Sequence, residues 1–154
     1  KPTNVPLTFR IEYERGGFNQ AQHIANEIRR VAKRLDLAEL VGVYSTLAEP
    51  IPASAFLGRW RAITPGEIQA MEIYPDGHAE VIMDTGEHRR ADSKLAPAPW
   101  TLGMREIFID TEYLVTYRGH INDDGKLVLD QGEIFPQGSW HDENSPAIIL
   151  QRVE

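Results

Sequence analysis

Residues 56–83 read FLGRWRAITPGEIQAMEIYPDGHAEVIM, and this stretch decides the fold class. Runs that alternate apolar and polar residues are separated by Thr64-Pro65-Gly66 and Pro75-Asp76-Gly77, which are typical turn sequences. Alternation with a period of two predicts half-buried strands. The stretch therefore predicts three antiparallel strands joined by two tight turns.

The same pattern continues towards the carboxyl end of the chain. Further strand-like runs are predicted at 100–102, 106–110, 113–118, 126–130, 133–135, 139–141 and 147–153, with a hairpin turn at 122–125. The segment 84–95 is polar and aperiodic, and it predicts a loop. A meander of this length must close or stack to hide its apolar face and its edges. We therefore expect a barrel or a strongly curled sheet.

A different pattern precedes the meander. Residues 7–13 alternate strictly and predict a strand, residues 19–36 have helical periodicity with Asn19 as the expected N-cap, and 40–44 predicts a strand or a short helical turn. An apolar stripe on the helix is expected to be core; it consists of Ile24, Ile28, Val31 and Leu35. On that expectation, Ile28→Asp would bury a charge and unfold this region.

Pro50 and Pro52 form a stiff connector between these two patterns. The predicted fold class is therefore α+β: a strand–helix–strand lead followed by an antiparallel β-meander that closes into a barrel or a strongly curled sheet. Residues 1–50 are expected to form the strand–helix–strand lobe and residues 51–154 the barrel-like domain. The alternative is that both belong to one continuous domain.

Composition excludes several classes of function. The chain has 154 residues, a formal net charge of −7 and no cysteine. The negative charge argues against a nucleic-acid partner, and the lack of cysteine excludes disulfides and thiolate chemistry. No apolar run approaches about 18 residues, so we expect no membrane span and a soluble protein, either cytoplasmic or periplasmic. No cofactor is expected.

Phe56-Leu57-Gly58-Arg59-Trp60 resembles the opening strand of lipocalin-like (calycin-type) β-barrels. The resemblance extends over residues 56–153, through the turn at 75–77 and the strand that begins at Trp100. The strand–helix–strand lead lies outside it. The resemblance implies a barrel whose interior can hold a small apolar ligand, and it implies no catalytic residue.

Aromatic side chains of the β segments are the candidate ligand-binding residues, because aromatic walls commonly line ligand pockets. They are Trp60, Trp100, Tyr113, Tyr117 and Trp140. Core packing is the alternative for each of them. No metal site is expected, because the histidine spacing matches no zinc motif; His120 and His141 would be the candidate ligands of one.

No nucleophile elbow, phosphate-binding loop or dinucleotide fingerprint occurs in the sequence. The pattern therefore favours a non-enzyme. The leading hypothesis is a non-catalytic binding domain that holds a small, partly apolar ligand in a barrel pocket. The second is an accessory or sensory domain of a longer protein that acts through protein–protein contacts. The third is a hydrolase with scattered site residues.

Overall fold

The computed structural model describes residues 6–98, 101–111, 115–133 and 146–154. Its elements, in chain order, are β1 (Leu7–Tyr13), α1 (Phe18–Arg34), β2 (Val41–Leu47), a 3-10 turn (Ala53–Phe56), β3 (Gly58–Ala62), β4 (Ile68–Ile73), β5 (His78–Met83), β6 (His88–Pro97), β7 (Thr101–Leu102), β8 (Arg105–Thr111), β9 (Val115–Ile121), β10 (Leu127–Glu133) and β11 (Ile148–Val153). These elements form two compact units.

The first unit comprises residues 1–51 and 97–104. Its three strands lie in the order β1-β2-β7, and both pairings are parallel. The helix α1 connects β1 to β2, which confirms the predicted strand–helix–strand lead. The short strand β7 was expected in the meander, but its backbone pairs with β2 at Ser45 and Thr46. A partner strand that distant in sequence leaves no local pattern.

The helix α1 packs within the first unit through small residues. The buried side chains of the helix are Ala21, Ala25 and Ala32, and the Nη2 atom of Arg29 donates to the carbonyl oxygen of Val43 at 3.2 Å. Because alanine is small, it permits a close approach between helix and strand, and the helix packs through this narrow alanine face. The helix begins after Gly17, which has no side-chain cap, and Asn19 lies inside the first turn.

The prediction that Ile24, Ile28, Val31 and Leu35 are core is wrong. Ile24 is 48% exposed and Leu35 is 58% exposed, while Ile28 and Val31 are only half-buried. The stripe lies on the flank of α1, beside the alanine face. Ile28→Asp is therefore no longer expected to unfold this unit, because position 28 still contacts water.

The second unit comprises residues 52–96 and 105–154. Its eight strands form a closed antiparallel barrel in the order β3-β4-β5-β6-β8-β9-β10-β11, and β11 pairs with β3 to close it. The predicted meander and the turns at 75–77 and 122–125 are confirmed. Because the barrel is closed, none of its described strands has a free edge.

The predicted loop at 84–95 is wrong for most of its length, because β6 occupies 88–97. Of its ten residues only Ala91 is fully buried, and Arg89 and Ser93 are half-buried on the same side. Small and polar residues facing inwards weaken the hydropathy alternation on which strand prediction depends. The predicted strand at 139–141 and most of the one at 133–135 lie outside the described residues.

Large apolar side chains fill the inward side of the barrel strands. Those buried to 1% exposure or less include Trp60, Ile68, Val81, Ile107, Ile109, Leu127, Leu129 and Leu150. A Cβ atom placed on Gly119 would lie 2.6 Å from Cδ2 of Leu129 and 3.0 Å from Cγ2 of Ile107. The interior around Gly119 therefore has no room for an added methyl group.

Candidate functional site

Trp60, the first candidate ligand-binding residue, is buried in the barrel and already bound to protein groups. Its exposed fraction is 1%, and its Nε1 atom donates to the carbonyl oxygen of Phe56 at 3.0 Å. The guanidinium carbon of Arg152 lies 4.5 Å from the ring centroid, which is a cation–π contact. Arg152 also donates to the carbonyl oxygens of Ala55 and Leu57. This cluster joins the 3-10 turn, β3 and β11.

Gly58 is required by this cluster. Its φ is +109°, in the region that favours glycine, and an added Cβ would lie 2.9 Å from Nη1 of Arg152. The Gly58-x-Trp60 motif thus has a structural explanation: the glycine gives Arg152 access to the backbone, and the tryptophan ring receives its guanidinium.

Tyr117, the second candidate within the described residues, is also buried. Its hydroxyl donates to Oε1 of Glu67 at 2.5 Å. Burial, and then the hydrogen bond to Glu67, raises the pKa of Tyr117 above its ordinary value. The hydroxyl therefore remains protonated and acts as a donor. Trp100, Tyr113 and Trp140 lie outside the described residues, so their predicted role stays a prediction.

His120 lies on β9, between the inward-facing residues Gly119 and Ile121, and its side chain is half-buried. Burial lowers the pKa of His120 below its ordinary value of 6.5; Asp130 and Glu106 oppose the shift. Among the residues that the structure describes, no three histidine or carboxylate side chains form a metal-binding group. His141, the other candidate metal ligand, lies outside the described residues.

Titration of His120 is expected to destabilise the protein in acid. The folded state holds this proton less tightly than the unfolded chain, so the unfolding free energy falls as the pH drops below about 6.5. Melting curves at about pH 8 and about pH 5.5 should show a smaller acid-induced loss in His120→Gln than in the wild type. His23→Gln, on the exposed side of α1, is the control. Equal losses in wild type and His120→Gln would contradict this assignment.

An open apolar groove in the first unit is the site that the sequence did not reveal. It has a volume of about 500 Å³ and lies between α1 and β1. Its apolar lining includes Leu7, Phe9, Ile24, Ile28, Val31 and Leu35. The alanine face of the helix could have indicated this groove in the sequence. A helix that packs through Ala21, Ala25 and Ala32 does not bury its larger apolar side chains against the sheet.

Strand β1 borders this groove and forms the edge of its sheet. At the two ends of β1, the Leu7 N–H donates to the Leu40 carbonyl oxygen, and the Tyr13 carbonyl oxygen accepts from the Ala48 N–H. Since backbone groups alternate in direction along a strand, those of Thr8, Arg10 and Glu12 point away from β2. No strand within the described ranges pairs with this outer side.

Comparisons with protein-family models, curated proteins and solved structures find no match for this chain. In the described part of the chain, no helix has the combination of length and apolar character needed to cross a membrane.

Proposed function

We propose that this chain is a non-catalytic binding domain that acts through protein contact, and that the apolar groove of the first unit is its contact surface. One observation carries the proposal: Leu7 is 52% exposed, Ile24 is 48% exposed and Leu35 is 58% exposed, all on one surface. Exposed apolar side chains that are scattered singly are ordinary, but a contiguous group marks an interaction site.

The neighbouring edge strand supports the same proposal. A free strand edge offers unsatisfied N–H and C=O groups, and peptides or other chains bind such edges by adding a strand. An apolar surface beside an open edge provides both the burial and the hydrogen bonds that protein association uses. The formal charge of −7 gives no support to a nucleic-acid partner.

As a second proposal, the barrel is lipocalin-like and binds a small, partly apolar ligand in its interior. The eight-strand meander and the Gly58-x-Trp60 motif on its first strand support it. The inward positions of Trp60 and Tyr117 also support it. Both side chains, however, already form hydrogen bonds within the chain, and packing around Gly119 is tight. These observations favour the groove, rather than the barrel interior, as the binding site. Native mass spectrometry of the purified chain tests this second proposal by revealing any co-purified small molecule.

A fluorescent apolar dye tests the groove. At low protein concentration, anilinonaphthalene sulfonate is expected to bind the wild type saturably, and Ile24→Glu should weaken binding about tenfold or more. An apolar side chain contributes about 1.5–3 kcal/mol when it is buried, and tenfold corresponds to about 1.4 kcal/mol. The measurement is a fluorescence titration, with circular dichroism as the check on folding.

Ile63→Glu is the matched control, because Ile63 is also 48% exposed but belongs to the barrel unit. Its dye affinity should equal that of the wild type. If Ile24→Glu also binds like the wild type, the groove is not the apolar contact surface.

A further inference from the structure

We propose that a second copy of this chain occupies the apolar groove, joined by antiparallel pairing of β1 with its counterpart about a two-fold axis midway between the two Ile11 residues. The inference rests on the proposed function, for which it names the partner. It is carried by the free edge of β1, by the charges on that strand and by the position of the groove.

Backbone directions restrict the possible pairings. Thr8, Arg10 and Glu12 direct their N–H and C=O groups outwards, so these residues would form the hydrogen-bonded pairs of an antiparallel ladder. A two-fold axis perpendicular to the sheet keeps each side chain on its own face, so it must pass midway between two copies of the same residue, which is called the centre. Only centres at Phe9, Arg10 and Ile11 place at least two of these three residues opposite one another.

Charge complementarity selects among these three centres. With the axis at Ile11, Arg10 of each copy lies opposite Glu12 of the other, which places two opposite-charge pairs on one face. With the axis at Arg10, two like charges lie directly opposite each other, which is destabilising. With the axis at Phe9, Glu12 lies opposite Pro6, which has no N–H to donate. At the Ile11 centre Thr8 lies opposite Glu14, whose carbonyl oxygen already accepts from the Gly17 N–H. This centre therefore has the best electrostatics and keeps the hydrogen-bonded pairs of Arg10 with Glu12.

Edge strands often carry charges that keep other chains away. A strand with charges of a single sign would repel its own copy in every register. Arg10 and Glu12 have opposite signs at successive positions of one face, and both are exposed. Together they are self-complementary in one register and repulsive in another, so they define a specific alignment.

The same axis also covers the groove. Because the two-fold axis is perpendicular to the sheet, both copies of α1 lie on the same side of the joined sheet. The flank that carries Ile24 and Ile28 faces the edge strand β1 in each copy, so the added strand and helix of the second copy lie over it. On this side of the sheet, Phe9 would lie opposite Tyr13 of the other copy, and such aromatic pairs stabilise cross-strand contacts.

Single cysteines report the register, because the chain has no cysteine of its own. Residues that face each other at a non-hydrogen-bonded position have Cα atoms about 4.5 Å apart, within the range that a disulfide bridges. Mild oxidation of Ile11→Cys should therefore give a covalent dimer on a non-reducing gel. Phe9→Cys and Arg10→Cys are the matched controls and should cross-link far less. Preferential cross-linking at Phe9 or Arg10, or none at any position, would overturn the proposed alignment.

Charge reversal tests the pairing without a covalent bond. In sedimentation equilibrium, Arg10→Glu and Glu12→Arg should each weaken self-association about tenfold, since each turns both opposite-charge pairs into like-charge pairs. An equimolar mixture of the two variants should restore association, because every facing pair again has opposite signs. Two variants that associate as strongly as the wild type would refute the charge argument.

The dye titration separates this inference from the function on which it rests. A wild-type chain that binds the dye at the groove but stays monomeric overturns the second-copy inference and leaves the groove as a contact surface. A chain that neither binds the dye nor self-associates overturns both. Dye binding that decreases as the dimer forms supports both.

Discussion

The Trp60→Ala variant is expected to lose about 3–5 kcal/mol of unfolding free energy, the usual cost of removing a large buried aromatic side chain. Trp60 is 1% exposed and its ring receives the Arg152 guanidinium. Truncation also leaves the Phe56 carbonyl without the indole donor that it has in the wild type. Denaturant unfolding followed by circular dichroism measures the loss.

Arg61→Ala is the control for this experiment. Arg61 lies next to Trp60 on β3 but is exposed, so its truncation should change stability by no more than about 0.5 kcal/mol. If the two variants unfold at the same denaturant concentration, Trp60 does not contribute to the barrel core as described.

Gly119→Ala is expected to destabilise the barrel by about 1–3 kcal/mol, the usual range for overpacking a core. The added methyl group would lie 2.6 Å from Leu129 and 3.2 Å from Leu127, and both leucines are fully buried. Thermal unfolding of the variant and the wild type gives the comparison.

Gly42→Ala provides an opposite expectation for the same chemical change. Its Cβ would lie 3.4 Å from the Tyr44 ring, an ordinary contact, and its φ is not positive. Losing glycine freedom in the unfolded chain should stabilise this variant by about 0.4–1 kcal/mol. A neutral or stabilising Gly119→Ala would instead mean that space exists beside Gly119, and the small-ligand proposal would gain support.

The barrel was predictable because its signals are local. Alternating runs such as 79–83 predict the strands, and turn sequences such as Pro75-Asp76-Gly77 predict where the chain reverses direction. Strand β6 escaped prediction because its inward residues are small or polar. The pairing of β7 with β2 escaped because no local pattern encodes a distant partner.

The candidate site was less predictable than the fold. Hydropathy periodicity identified α1 but assigned its buried face to Ile24 and Leu35, although alanines pack against the sheet. Periodicity reports that two faces differ; side-chain size decides which apolar residues approach a neighbour most closely. Trp60 was identified as a candidate, whereas its contact with Arg152 depends on a residue far along the chain.

Closure of the barrel by β11 has a consequence for synthesis on the ribosome. Arg152 reaches the Ala55 carbonyl across 97 residues, and β11 pairs with both β3 and β10. Because a chain is synthesised from its amino end, β3 lacks its partner β11 while the seven strands that complete the barrel are translated. The strand–helix–strand segment 7–47 pairs β1 with β2 over a much shorter stretch of chain, so this pairing can form much earlier. The nascent polypeptide therefore has an incomplete barrel until β11 is available to pair with β3.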